Sequence, residues 1–442
     1  MKAARRLADI VALFASALAA ALFIFIKFPR GMLLWLPRIF AAAASPFLAT
    51  AGALAAAAGL LTRSRLALLG GLFSAYTFTR YVWRVVAFDA DASLNRAFGP
   101  DWSERIGETQ KSSMLRGHWT WRMPAGPRPT HLRDIPFATI PGTSRQLLCD
   151  LWLPGLCVER SGLAVVFLHG GAWYLGDKDY GTRPFFRRLA AQGHVVMDVA
   201  YRMVPETDMH GMVGDAKRAI AWMKANAAEY FVHPERIVIG GASAGGHLAL
   251  LAAYSSGNPD LTPAELQNQD LSVKGVVSYY GVADMTSTYY HTSQHVTTRS
   301  LPHQPARVEG AFAPSIFRRI LGERYTRSGL NKPRTSSAFL YLLGGHPEEA
   351  PQAYRLFSPL VQAHPGCPAT LLVHGEEDVW VPVQATQQLE AKLRDAGVPV
   401  VSLYLPQTDH GFDLVSPSFS PPFQCALYLL ERFLAVLAFS KP

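Results

Sequence analysis

An α/β fold, with a mostly parallel sheet wound on both faces by helices and preceded by membrane-spanning helices, is what this sequence predicts. Three observations carry that expectation. Short β-rich runs at residues 164–169, 194–199, 236–240, 274–280, 369–374 and 400–405 alternate with amphipathic stretches such as 212–229 and 383–396. Alternation of that kind means parallel strands covered by helices. Several of the runs end in turns bearing glycine, serine, acid or histidine. The first 88 residues differ in kind, being almost continuously apolar and rich in alanine. At 442 residues the chain is long enough for one large α/β domain and an added region.

Taken in order, residues 10–28 are apolar except for Ser16 and Lys27. At 1.5 Å per residue such a helix just matches a bilayer core of roughly 30 Å. Residues 39–61 carry no charge, and their Ala and Gly suit close packing between membrane helices. Residues 66–88 begin apolar and end with Tyr76, Arg80, Tyr81, Trp83 and Arg84, a composition suited to the lipid interface. Two or three spans are expected. A cleaved signal peptide and an Ala-rich soluble hairpin share parts of this pattern. Lys and Arg flank every apolar stretch, so the side of the catalytic domain stays undecided.

The formal net charge of +9 does not point to nucleic acid, because the arginines are scattered and no basic run is interleaved with aromatics. Part of the excess (Lys2, Arg5, Arg6, Lys27, Arg30 and Arg38) flanks the apolar stretches and suits a membrane surface. Cys149, Cys157, Cys367 and Cys425 form no metal-ligand spacing and leave the redox compartment open. Cys149, in an expected strand, and Cys425, in an expected helix, read as buried thiols. Residues 89–130, polar with Gly, Pro and Trp, read as a linker or lid segment; 131–442 read as the catalytic domain. Within it the alternation lapses over about 285–351, where a lid insertion is expected.

The chemistry concentrates at strand ends. Residues 236–251 read RIVIGGASAGGHLALL, a β-branched run, then Gly241-Ala242-Ser243-Ala244-Gly245, then a helical run. This is G-x-S-x-G in the strand–turn–helix setting that makes Ser243 a nucleophile, with the new helix aiming its N–H groups at developing charge. Residues 163–178 read LAVVFLHGGAWYLGDK; the small residues after the strand let backbone N–H groups approach a carbonyl oxygen. Gly171, Ala172 and Ala244 are the expected oxyanion donors.

Residues 369–382 read ATLLVHGEEDVWVP, and 401–414 read VSLYLPQTDHGFDL. Asp378 is the preferred acid, with Glu376 and Glu377 as rivals, and His410 is the base. Parallel strands bring all these turns to one edge of the sheet. Asp409 and Asp413 read as solvent or loop contacts, His169 as a loop brace, and His247 as packing. His291 and His295 read as loop histidines: they are four apart, but no carboxylate lies between them to suggest a metal pair. No metal site is expected.

These residues resemble the α/β-hydrolase family, specifically its hormone-sensitive-lipase-like esterase branch, over roughly residues 133–437. The motifs are His169-Gly170-Gly171-Ala172-Trp173, Tyr201-Arg202-Met203-Val204-Pro205-Glu206 and Gly241-Ala242-Ser243-Ala244-Gly245-Gly246. H-G-G-x-W departs from the branch's H-G-G-G and is similar to kynurenine formamidases and prenylcysteine methylesterases. The resemblance implies hydrolysis of small-molecule carboxylic esters through an acyl-enzyme, without cofactor, and a structural turn at Tyr201–Glu206. An anchored N-terminus suggests an apolar, lipid-like ester. An amidase or acyltransferase would use the same triad; a binding module on this fold would usually lack a triad member, and none is missing here.

Overall fold

The computed structural model describes residues 2–23, 34–179, 181–295, 339 and 342–439. Its strands are β1 (Thr130–Thr139), β2 (Gln146–Leu153), β3 (Ala164–Leu168), β4 (Val195–Ala200), β5 (Ile237–Ala242), β6 (Gly275–Tyr279), β7 (Ala369–Gly375) and β8 (Val400–Leu405). They form one sheet in the order β1-β2-β4-β3-β5-β6-β7-β8. β1 and β2 pair antiparallel and β2 joins β4 antiparallel, while every later pairing is parallel. The six expected runs are the parallel strands; the antiparallel pair at the edge comes in addition.

The described helices are α1 (Lys2–Phe23), α2 (Trp35–Ala43), α3 (Ser45–Thr62), α4 (Arg65–Val86), α5 (Ala90–Phe98), α6 (Glu108–Ser113), α7 (Arg183–Ala191), α8 (Met209–Ala225), α9 (Ala244–Tyr254), α10 (Met285–His295), α11 (Pro351–Leu356), α12 (Pro359–Gln362), α13 (Val383–Asp395) and α14 (Pro421–Phe439). One face of the sheet packs Val166 and Ile239 against α8, α9 and α13 through Ile220, Leu248 and Leu389. The other packs Val165, Val238 and Leu371 against α7 and α14 through Phe186, Leu430 and Phe433. Helices on both faces follow from strands apolar on both sides, since β3, β5 and β6 are buried at every residue.

The expected spans are met only in part: of the described N-terminal helices α3 alone is long and apolar enough to cross a membrane, and residues 24–28 of the first stretch lie outside the described residues. The apolar stretch 39–61 is not one helix: it divides between α2 and α3 at Ala44, whose N–H closes α2 on the Phe40 carbonyl, with Pro46 in the first turn of α3. Composition is blind to such a turn. α3 and α4 form a hairpin so close that a Cβ on Gly71 would sit 2.5 Å from the Ala56 nitrogen. α1 lies along them, with the Ser16 hydroxyl donating to the Gly70 carbonyl at 3.1 Å. Leu13, Phe14, Leu54, Leu69, Leu72 and Phe73 point outward from this bundle. By length and composition two described helices could cross a membrane, α3 and α14; α14 is a core helix of the sheet domain, buried along most of its length.

Residues 89–130 are no free linker. Leu94, Trp102, Ile106 and Leu115 are buried in the same core as α14, and Glu431 on α14 accepts the Leu115 N–H at 2.7 Å. Most of the expected lid lies outside the described residues. Its start is α10, so His291 is helical rather than on a loop and donates from Nε2 to the Asp378 carbonyl at 3.0 Å.

Candidate active site

β5 ends in Ala242, and Ser243 turns the chain into α9 with φ 54° and ψ −121°, a strained conformation for a non-glycine residue. Its neighbours must be small. A Cβ on Gly241 would lie 2.4 Å from the Gly245 carbonyl carbon, and one on Gly245 would lie 2.0 Å from the Leu168 oxygen. The turn is anchored by the Ser243 N–H on the Tyr279 carbonyl at 2.9 Å.

β7 and β8 are neighbours, so their exit turns meet. Asp378 Oδ2 accepts from His410 Nδ1 at 2.7 Å, and His410 Nε2 lies 2.9 Å from Ser243 Oγ. Nδ1 carries the proton because its partner is a carboxylate, which leaves Nε2 to accept from the serine. Asp378 Oδ1 accepts the N–H groups of Trp380 and Val381, each at 2.8 Å. Burial opposes ionisation of Asp378, but the charge and hydrogen bonds of His410 and His374 prevail and hold its carboxyl well below the usual range. The rivals are elsewhere. The N–H groups of Glu376 and Glu377 donate to the Leu405 and Thr408 carbonyls at 2.9 and 3.0 Å, tying this turn to the exit of β8, and burial raises the Glu376 carboxyl above its ordinary value.

The loop after β3 runs through positive φ at Gly171, Ala172 and Trp173 (133°, 50° and 64°). Gly170 packs against the elbow, where a Cβ would sit 3.3 Å from Ser243 Cβ. Gly171, Ala172 and Ser243 line one cavity of about 550 Å³, along with His410. Among the described residues, the N–H groups of Gly171 and Ala172 donate to no loop or turn acceptor.

Several supports were not foreseen. Trp173 Nε1–H donates to His247 Nδ1 at 3.2 Å, and His247 Nε2–H donates to the Phe357 carbonyl at 2.7 Å. The tryptophan of H-G-G-x-W thereby ties the loop after β3 to α9. Burial lowers His247 to about 4, keeping it neutral for this role. His374 places Nε2 3.2 Å from Asp378 Oδ2 and Nδ1 2.9 Å from Thr386 Oγ1. Its signal was in the sequence, four residues before Asp378. Tyr201 donates its hydroxyl to the His169 carbonyl at 2.8 Å, and Arg202 forks onto Asp215 at 2.8 Å on each oxygen. The Tyr201–Glu206 segment, expected as a structural turn, props the loop after β3.

Asp409 and Asp413, expected as solvent or loop contacts, are loop contacts. Asp409 is buried, accepting N–H groups from Val379 at 3.0 Å and His410 at 2.7 Å. Asp413 accepts from the Tyr280 hydroxyl. Asp409 is shielded from solvent because the loop after β8 packs against α2, whereas half-buried Asp413 lines the cavity. His169 braces its loop as expected, with Nδ1 on the Gly170 carbonyl at 2.7 Å and its ring stacked on Tyr201. Cys149, Cys367 and Cys425 are buried thiols, while Cys157 is exposed. No cluster of ligands able to hold a metal occurs among the described residues.

Residues 149–312 match the BD-FAE family model, and residues 334–418 that of the prolyl oligopeptidase family. Esterase LipQ of Mycobacterium tuberculosis is 30% identical over 335 residues, covering 74% of this chain and 69% of LipQ. A probable isoprenylcysteine α-carbonyl methylesterase of Oryza sativa is 25% identical over 272 residues, 60% of this chain and 55% of that protein. Among solved structures, Thermogutta terrifontis esterase 2 phosphonylated by sarin superposes with a TM-score of 0.51 at 22% identity, over 72% of this chain and 98% of that one. That likeness establishes the fold.

Proposed function

Because this chain belongs to the hormone-sensitive-lipase-like α/β-hydrolase carboxylesterases, the family of LipQ, and is a carboxylic ester hydrolase, we propose that it is a membrane-anchored serine esterase for apolar, lipid-like esters. Ser243 is its nucleophile, His410 its base and Asp378 the acid that orients the base. The observation that carries this reading is the unbroken relay from Ser243 Oγ to His410 Nε2, and from Nδ1 to Asp378, at 2.9 and 2.7 Å.

The steps follow from the groups. His410 Nε2 takes the Ser243 proton as Oγ attacks the ester carbonyl, and the charge that collects on the carbonyl oxygen is met by the N–H groups of Gly171, Ala172 and Ala244. Collapse breaks the bond to the alcohol oxygen, which receives the proton from His410. Water then attacks the acyl-serine with His410 again as base, and the acid leaves with Ser243 restored. Asp378, held ionised, stabilises the imidazolium in both halves.

Support for an apolar ester comes from the cavity wall, which includes Trp35, Leu36, Phe40, Trp173, Phe339 and Trp380. Support for the anchor comes from α1, α3 and α4, whose outward Leu and Phe side chains form a broad apolar surface unsuited to water. The test is labelling of the detergent-solubilised chain by a fluorophosphonate. Wild type should label and hydrolyse p-nitrophenyl esters, and Ser243→Ala should do neither. A wild type that resists labelling while folded overturns the assignment.

A further inference from the structure

The proposed anchor and the proposed active site meet at α2. Trp35 Nε1–H donates to the His410 carbonyl at 2.8 Å, and its ring meets that of Trp380 edge to face with centroids 5.7 Å apart. Arg38, one turn on and 1% exposed, donates from Nη2 to the Glu377 carbonyl at 3.2 Å and sets Nη1 3.1 Å from Asp409 Oδ2. A single guanidinium therefore reaches both turns, touching the residue before the acid and the residue before the base. Asp409 completes the tie, since its other oxygen accepts from Val379 on one turn and His410 on the other.

The remaining side of α2 faces the substrate. Trp35, Leu36, Ile39 and Phe40 line the same cavity as Ser243. Leu36 and Phe40, four apart and so on one stripe, are about half exposed at 49% and 48%. On α3, Phe47 and Leu54, seven apart and so on one face, are also exposed. A cavity mouth built from large apolar side chains on the anchor itself is costly against water and without cost against lipid tails.

We propose that α2 is the substrate-admitting wall of the active site, through which the ester of a bilayer-resident amphiphile passes from the lipid phase to Ser243, with Arg38 as the positioning residue that registers this wall on the acid and base turns. The inference rests on the Ser243 reading and on the anchor. It makes the N-terminal region a component of catalysis as well as an attachment.

The full chain, reconstituted in phosphatidylcholine vesicles, tests it with two sets of variants. Leu36→Trp narrows the wall and should lower the ratio of kcat/KM for a decanoyl ester to that for an acetyl ester at least fivefold, whereas Phe40→Ala should move the ratio by less or raise it. Ratios within twofold of wild type in both variants overturn the role of the wall. Arg38→Met should lower kcat on the acetyl ester at least tenfold with KM within threefold, and Arg38→Lys should recover part of the loss. Equal kcat in wild type and Arg38→Met, or no gain from lysine, overturns the positioning role. If Arg38→Met does not fold, Asp409→Asn carries the same kcat test from the other side of the pair. Fluorophosphonate labelling of wild type keeps the layers apart: labelled protein with unmoved ratios sinks only the role of α2, and unlabelled wild type sinks the nucleophile beneath it.

Discussion

Replacing Asp378 by asparagine leaves size and shape nearly unchanged and exchanges one acceptor for a donor. Oδ1 already holds the N–H groups of Trp380 and Val381 at 2.8 Å each, so the amide oxygen is drawn to that position and the NH₂ must face His410 Nδ1 and His374 Nε2. His374 Nε2 lies 3.2 Å from the Val381 carbonyl and so keeps its proton, leaving it a donor that opposes the new NH₂. His410 then resolves its own contact by moving its proton to Nε2, the atom that should receive the Ser243 proton. A triad locked in the wrong tautomer loses about 10⁴ in kcat, or roughly 5.5 kcal/mol of transition-state stabilisation at ~1.4 kcal/mol per tenfold. KM should stay within about threefold, because no group in the cavity wall changes. The assay is steady-state hydrolysis of p-nitrophenyl butyrate at pH 7.5, with Glu376→Gln and Glu377→Gln measured beside it. If Asp378→Asn keeps more than a tenth of wild-type kcat while either glutamate variant falls by the expected amount, the acid has been misassigned and the reasoning fails.

Three further outcomes follow from the supports. His247→Leu strands the Trp173 indole N–H and the Phe357 carbonyl, each buried, at a cost of about 1–3 kcal/mol apiece; thermal unfolding should come several degrees earlier, and kcat should drop by less than the roughly hundredfold that a lost oxyanion donor costs. Lys217 is buried with its ammonium on the Ser255 carbonyl and Thr262 hydroxyl, and burial lowers it to about 7. The folded state thus binds fewer protons than the unfolded chain between about pH 7 and about pH 10.4, so Lys217 makes stability rise with pH across that window and contributes no slope below it. Lys217→Met should remove that rise in a Tm series from pH 7 to 10, and an unchanged slope would refute the burial argument. Gly71→Ala should lower the Tm of the solubilised protein more than Gly70→Ala, since the added carbon meets the α3 backbone at 2.5 Å in the first case and the Ser16 side-chain oxygen at 3.0 Å in the second.

What could be read from the sequence was local. A β-branched run, a tight small-residue turn and a helical run are contiguous, so Ser243 and its setting are visible without any knowledge of the partner strands. Asp378 and His410 were reachable because parallel strands deliver their ends to one edge. The edge strand β1 was not singled out, since it is largely exposed and its pattern lacks clean alternation, and of β2 only a strand at Cys149 was expected. Arg38 was read as a cation for the membrane surface; its partners Glu377 and Asp409 lie more than 300 positions away, and nothing in a linear pattern links them. Asp409 was set aside on the sound ground that it cannot reach the far nitrogen of its neighbour. That argument overlooked the backbone, whose N–H groups it serves.

Asp378 and Asp409 show why, of the two carboxylates beside His410, Asp378 is the one proposed as the acid. Both are buried carboxylates within reach of the same histidine, and burial alone raises both. Asp378 is met by two backbone N–H groups and two imidazoles, all in bonding distance, and ends far below its ordinary value. Asp409 has two backbone N–H groups and Arg38, but Nη1 and Oδ2, though 3.1 Å apart, are misaligned for a hydrogen bond, and the Asp378 charge lies nearby. Burial pushes it up to about 7, and Arg38 together with the N–H groups of Val379 and His410 keeps it from rising further. At neutral pH the carboxylate ready to stabilise an imidazolium is therefore Asp378, whereas Asp409 is suited to holding backbone in place.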